Sequence, residues 1–141
     1  MPLHTRLTAL CTLIEKSAGL PVRIGRPDEA GGLYVWPWRL EEDARVRSTP
    51  LPRLLGDTPL GRVPAPAIHF LVLSSTSLEA DVFLALESSR AALLETPVFE
   101  AGNGRVSVAP DTLSANELTD LFTAAAIPMR LCLAYTLRTS T

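Results

Sequence analysis

Lysine is almost missing from this sequence: Lys16 stands alone among 13 basic residues, so arginine carries nearly all the positive charge. Cysteine and histidine occur twice each, and aromatic residues make up 6%. Each scarcity removes an explanation. Cys11 and Cys132 lie at opposite ends of the chain, so they show neither a disulfide framework nor the closely spaced ligands of a zinc site. They sit in apolar runs that read as helix and strand, which predicts buried thiols in a reducing compartment. His4 and His69 neighbour no credible nucleophile, so the nucleophile, base and orienting group of a hydrolase are not assembled. We expect no catalytic residue, no metal and no cofactor, and His69 reads as a half-buried, hydrogen-bonded histidine of a core strand.

Other classes fall for lack of the right runs. No apolar stretch reaches the ~20 residues of a membrane helix. The opening MPLHTRLTALCTLIEK lacks the charged region, apolar core and cleavage site of a secretion signal, and reads as an amphipathic helix of a cytoplasmic protein. A formal charge of −2 provides no general attraction for phosphate backbones, so no specific nucleic-acid partner is expected. Gly31-Gly32 precedes a strand and Gly102-Asn103-Gly104 sits between two strands, so neither is a phosphate loop opening a helix. Glu41, Glu42 and Asp43 are consecutive and read as a solvated turn.

What remains is an ordinary globular composition, 47% hydrophobic and 20% charged over 141 residues, enough for one domain that buries roughly two-thirds of its unfolded surface. No internal repeat or linker divides it. Leu7, Leu10, Cys11, Ile14 and Ala18 recur at helical spacing, predicting a helix over Leu3 to Ala18 that ends at Gly19. Pro21 to Ile24 and Leu33 to Leu40 read as strands, with Ala44 to Ser48 as a short polar return. AIHFLVLS, Ala67 to Ser74, is apolar on both faces and predicts a central strand covered on each side. Thr76-Ser77-Leu78-Glu79 has capping-box spacing and opens a helix to Glu95, with Leu78, Val82, Leu86 and Leu93 on one stripe. Val98 to Ala109 reads as a hairpin turning at Gly102-Asn103-Gly104. Ser114-Ala115-Asn116-Glu117 repeats the capping-box pattern before a helix to Ala125. Met129 to Arg138 ends the chain as a strand with Met129, Leu131, Leu133, Tyr135 and Leu137 inward. The sum is a small α+β domain: a mixed sheet of about four strands plus a hairpin, with three helices packed on it.

The most distinctive stretch is GLYVWPWRLEEDARVR, Gly32 to Arg47, which holds both tryptophans. Strand alternation puts Tyr34, Trp36, Trp38 and Leu40 on one face and Leu33, Val35, Pro37 and Arg39 on the other. Pro37 donates no ladder hydrogen bond, so the strand should lie at an edge, end early or carry a bulge. Two rings on one face fill a core, meet a protein, stack a sugar or bind a cation. Five prolines follow between positions 50 and 66, predicting an extended stretch over residues 49–66 that is either an arm suited to lying on a partner or a mobile loop. Arg39, Arg45, Arg47, Arg53 and Arg62, answered by Glu41, Glu42, Asp43 and Asp57, read either as a rim that pairs with complementary charge or as a solvated loop with weak exposed pairs. The candidate interface is therefore Trp36, Trp38, Arg39, Arg45, Arg47, Arg53 and Arg62.

The order LTALCTLIEKSA, GLYVWPWRLEEDARVRS, a proline arm, AIHFLVLS, LEADVFLALESSRAALLETPVFE, LSANELTDLFTAA and RLCLAYTLR covers nearly all of the chain. It resembles the N-terminal domain of the cap, or tail-terminator, proteins of phage-tail-like contractile injection systems. The resemblance implies a noncatalytic structural protein forming a homo-hexameric ring that ends the inner tube and anchors the last sheath layer. It would be assembled in the cytoplasm and then belong to a particle, with tube and sheath proteins as partners and no membrane. Two alternatives stand beside it: another tail component, such as a sheath-, tube- or baseplate-associated adaptor, or a soluble carbohydrate or peptide binding module using Trp36 and Trp38.

Overall fold

The structure, a computed structural model, describes residues 2–42, 65–75 and 81–140. Along them run α1 (Leu3–Ala18), β1 (Val22–Ile24), β2 (Leu33–Glu41), β3 (Ala67–Ser74), α2 (Val82–Glu95), β4 (Val98–Ala101), β5 (Gly104–Pro110), α3 (Ala115–Ala125) and β6 (Cys132–Ser140). The strands form one mixed sheet in the order β1-β2-β3-β6-β5-β4. Only β1 and β2 run parallel; the other pairings are antiparallel. The α+β class is as expected, but the hairpin does not stand apart. Its second strand pairs with β6, Val108 opposite Leu137, because Val106 and Val108 bury their side chains in the same core as Leu137.

That core lies on one face of the sheet. In α1, Leu7, Leu10, Cys11 and Ile14 are buried at i, i+3, i+4 and i+7, the stripe that lets a helix lie on a sheet. They pack with Val82, Ala85, Leu86 and Leu93 of α2 against Val35, Ile68, Phe70 and Val72. Gly19 ends α1 in the left-handed region, φ 72°, its amide donating to the Glu15 carbonyl. The opposite face carries a smaller cluster of Tyr34, Leu71, Leu73 and Phe122, the last supplied by α3. With helices on both sides, all eight positions of β3 are buried, as the apolar run predicts.

Helix starts divide the two capping boxes. At α3 the Ser114 Oγ accepts from the Glu117 amide at 3.1 Å and the Ser114 amide donates to Glu117 Oε1 at 3.4 Å, the reciprocal pair the spacing predicts. The expected box at Thr76 and the stripe residue Leu78 lie outside the described residues. The described part of that helix begins at Val82, after Asp81, which makes no side-chain cap.

The last strand starts later than expected. Met129 and Leu131, expected inward, are 53% and 63% exposed, and pairing with β3 begins at Cys132 opposite Leu73. Arg130 holds the approach by donating to the Ser75 and Pro128 carbonyls. Leu133, Tyr135 and Leu137 do face the main core.

Two positions are set by close approach. Gly32 has φ 107°, and a Cβ there would lie 2.4 Å from the Pro21 carbonyl oxygen, which already accepts from the Leu33 amide; only glycine fits. Arg6 is 1% exposed and its Nη1 donates to the Pro66 carbonyl at 3.0 Å, tying α1 to the entry of β3. Burial pushes its guanidinium below the ordinary arginine value.

Candidate functional site

The tryptophan strand is where sequence pattern and tertiary structure part company. β2 runs antiparallel to β3 with Tyr34 opposite Leu73, Trp36 opposite Leu71 and Pro37 opposite Phe70. The next pair is Arg39 with His69, then Leu40 with Ile68 and Glu41 with Ala67. Trp38 is thus an extra residue in a β-bulge, which restarts the alternation one residue out of step. Two expectations are corrected by it. Arg39, placed by alternation on the face of Val35, shares the side of Tyr34 and Trp36; Leu40, placed with the tryptophans, turns to the other side and is 55% exposed. Pro37 has the parity of Leu33 and Val35, whose backbone groups bond on the β1 side, so its nitrogen faces away from β3 and removes no bond from that ladder. β1 pairs only as far as Val35, so among the described residues this side of β2 is unpaired at Pro37 and tolerates the missing N–H.

Both tryptophans are partly buried against the smaller cluster under α3, in company with Leu118 and Leu121. Trp36 meets Phe122 edge-on with ring centroids 6.0 Å apart, a favourable aromatic geometry. Trp38 lies tilted over the His69 imidazole at 5.5 Å. Its Nε1 is buried and has no hydrogen-bond partner among the described residues. A shallow groove of about 250 Å³ beside it is walled by Trp38, Glu117, Asp120, Leu121 and Ala124.

Next to this ring lies a charged constellation that the sequence reading passed over. His69 Nδ1 is 2.7 Å from Asp111 Oδ2 and 3.2 Å from the Thr136 hydroxyl, while Nε2 is 3.2 Å from Glu41 Oε2. Arg39 Nη2 reaches the same Glu41 oxygen at 3.0 Å. Glu41 is therefore no solvated turn residue: it ends β2 and its carboxylate is shared by two basic groups. Burial raises the Asp111 carboxyl, but hydrogen bonding from His69, the charge of His69, and bonds from Thr136 and the Thr112 amide outweigh this and leave it below the ordinary value. His69, 8% exposed, is more deeply buried than expected, and it is the hub that joins β2, β3, β6 and the segment after β5.

The sequence held one signal for this group: a histidine in the middle of an apolar central strand needs buried polar partners. It could not say which, because Glu41, Asp111 and Thr136 are distant in the chain and meet only through strand register. The remaining candidate interface residues, Arg45, Arg47, Arg53 and Arg62, lie outside the described residues, as do the expected return strand and all of the arm but its last two positions. Among the described residues no three His, Cys, Asp or Glu side chains are arranged to hold a metal ion, and no helix is long and apolar enough to cross a membrane.

A family model described as the Pvc16 N-terminal domain matches residues 3–141. No curated protein shows significant similarity to the sequence. Among solved structures, the fold is similar to the sheath/tube terminator, in its extended state, of PVC, an extracellular contractile injection system. The TM-score is 0.69 at 15% identity over 99% of this chain. It is also similar to the tube-terminating cap of the anti-feeding prophage, with a TM-score of 0.66 at 14% identity over 100% of this chain. The chain spans 56% of the length of each of these two proteins.

Proposed function

Because this chain belongs to the Pvc16 N-terminal domain family, we propose that it is a structural cap of a contractile injection particle, ending the inner tube and anchoring the last layer of sheath. The observation that carries this reading is the extent of the likeness: the family match and both terminator folds span essentially the whole chain. The relatives are a sheath/tube terminator and a tube-terminating cap, so the partners we assign are tube and sheath proteins, met as the particle is built in the cytoplasm.

Six copies in a ring would meet heterologously, one surface of each subunit against a different surface of the next. We assign Trp36, Trp38 and Arg39, with Arg45, Arg47, Arg53 and Arg62, to such a seam. Support comes from Arg39, whose side chain is 53% exposed beside the partly buried indoles, a rim of charge around an aromatic patch.

The experiment is deletion of the gene in a particle-producing host, followed by imaging. The reading requires tails of uncontrolled length or sheath detached from the distal end; tails of normal length with sheath attached would overturn it. Replacing Arg45 and Arg47 by glutamate tests the seam, and unchanged assembly would remove them from it. Light scattering over a range of concentrations then reports whether six copies associate before docking.

A further inference from the structure

We propose that His69, as an imidazolium, is a proton-operated latch that holds the end of β2 to the sheet. The inference rests on geometry within one chain and stands whether or not the cap reading does.

A neutral imidazole has one N–H donor and one lone pair. Here each ring nitrogen faces a carboxylate oxygen: Nδ1 at 2.7 Å from Asp111 and Nε2 at 3.2 Å from Glu41. With the proton on Nδ1, the Nε2 lone pair points at Glu41; with the proton on Nε2, the Nδ1 lone pair points at Asp111. Either tautomer turns one short contact into a repulsion. Only the doubly protonated ring donates to both, and then the charges alternate along Arg39, Glu41, His69 and Asp111, two of each sign. Charge-assisted bonds of this kind are roughly twice as strong as neutral ones, and the imidazole is shielded from water by its own burial and by the Trp38 ring.

The two contacts are unequal in what they hold. Asp111 is also fixed through its Oδ1, which accepts from the Thr112 amide, and its own amide donates to the Ala134 carbonyl. The Thr136 hydroxyl also hydrogen-bonds the Asp111 carboxylate. Glu41 closes β2, past the bulge and beyond the reach of β1. Loss of the proton therefore frees the Glu41 side first, and the point at which the chain leaves the sheet loosens. Among the described residues, the groups that face the ring are Arg39 and Glu41 of β2, Asp111 after β5 and the Thr136 hydroxyl of β6; of these side-chain types, imidazole is the one that serves as a proton switch.

The test is NMR on the full chain, reading the protonation of both His69 nitrogens together with hydrogen-exchange protection of those amides of residues 39–41 that point to β3, corrected for intrinsic rates, from about pH 5 to about pH 9. The expected result is a ring protonated on both nitrogens at the acidic end. As it deprotonates, protection at these amides falls by roughly tenfold or more, while that of Val72 stays level. Glu41→Ala, which removes the acceptor at a partly exposed strand end, should give low protection at both ends of the range and no pH response. A ring that is neutral throughout, protection that does not follow its titration, or a Glu41→Ala protein that keeps the wild-type response would each overturn the latch.

Discussion

Trp38 has no partner across the ladder from β3, and its indole rests 5.5 Å from the imidazole of His69. One unpaired residue thus brings together the aromatic patch and the charged group, because the bulge that leaves Trp38 over also turns Arg39 and Glu41 toward His69. A one-residue slip in the ladder is transmitted in this way to side chains distant in sequence.

Trp36 should matter more to stability than its partial exposure suggests, since it fills the space between β2 and Phe122. Trp36→Ala is expected to cost about 3 kcal/mol through lost burial and a residual cavity, and Trp36→Phe much less. Urea unfolding followed by circular dichroism checks both; equal, small losses would mean that α3 does not rest on this ring.

Gly32→Ala should destabilise by at least about 2 kcal/mol, because the added methyl meets the Pro21 carbonyl and the backbone is in a region L-residues avoid. Gly25→Ala, where φ is 127° but a Cβ would meet nothing within 4 Å, should suffer only the backbone part. The difference in urea midpoint between the two variants isolates the clash.

Ser114→Ala removes the acceptor for the Glu117 amide and should cost about 1 kcal/mol. The loss is expected to be local. Amide exchange should quicken in the first turn of α3 while the β3 amides keep their protection, and equal quickening of both would refute a local effect.

On the acid side, Asp111 and Asp28 both lie below the ordinary carboxyl value, Asp28 chiefly through the hydrogen bond from the Tyr34 hydroxyl. A lowered folded value means that each contributes stability above the unfolded carboxyl value, near 3.9, and loses it as pH falls through the folded one. Asp111→Asn should therefore lower stability at neutral pH and flatten the fall in stability below about pH 4. A midpoint-against-pH curve parallel to that of the parent would contradict it.

The thiols give a further check. Burial, with the nearby charge of Glu15, pushes the Cys11 thiol up to about 12, and burial alone raises Cys132. Cys11 should resist a thiol reagent at neutral pH until the chain unfolds, whereas the less buried Cys132 reacts first. Mass spectrometry of partly labelled protein assigns the order.

Much of the architecture was legible because it depends on neighbours in the chain. The helix Leu3–Ala18, the strand Ala67–Ser74 and the capping box at Ser114 follow from spacing, burial on both faces and two side chains three residues apart. The start of the last strand was misread because apolar Met129 and Leu131 continue its alternation while β3 offers pairing only from Leu73 onward. Residue pattern reports what a segment would accept; its partner sets where pairing begins.

The candidate site divides along the same line. Sequence alone determined that Trp36 and Trp38 stand in a strand interrupted by proline, that the charges here are arginine and carboxylate, and that His69 lies within an apolar strand. Only the tertiary structure decided that Trp38 is the bulged residue, that Arg39 changes face, and that Glu41, His69, Asp111 and Thr136 form one group. A slip of one residue inverts every side chain beyond it, and the slip is settled by the register of β2 on β3 and of β3 on β6, relations between segments that no single segment contains.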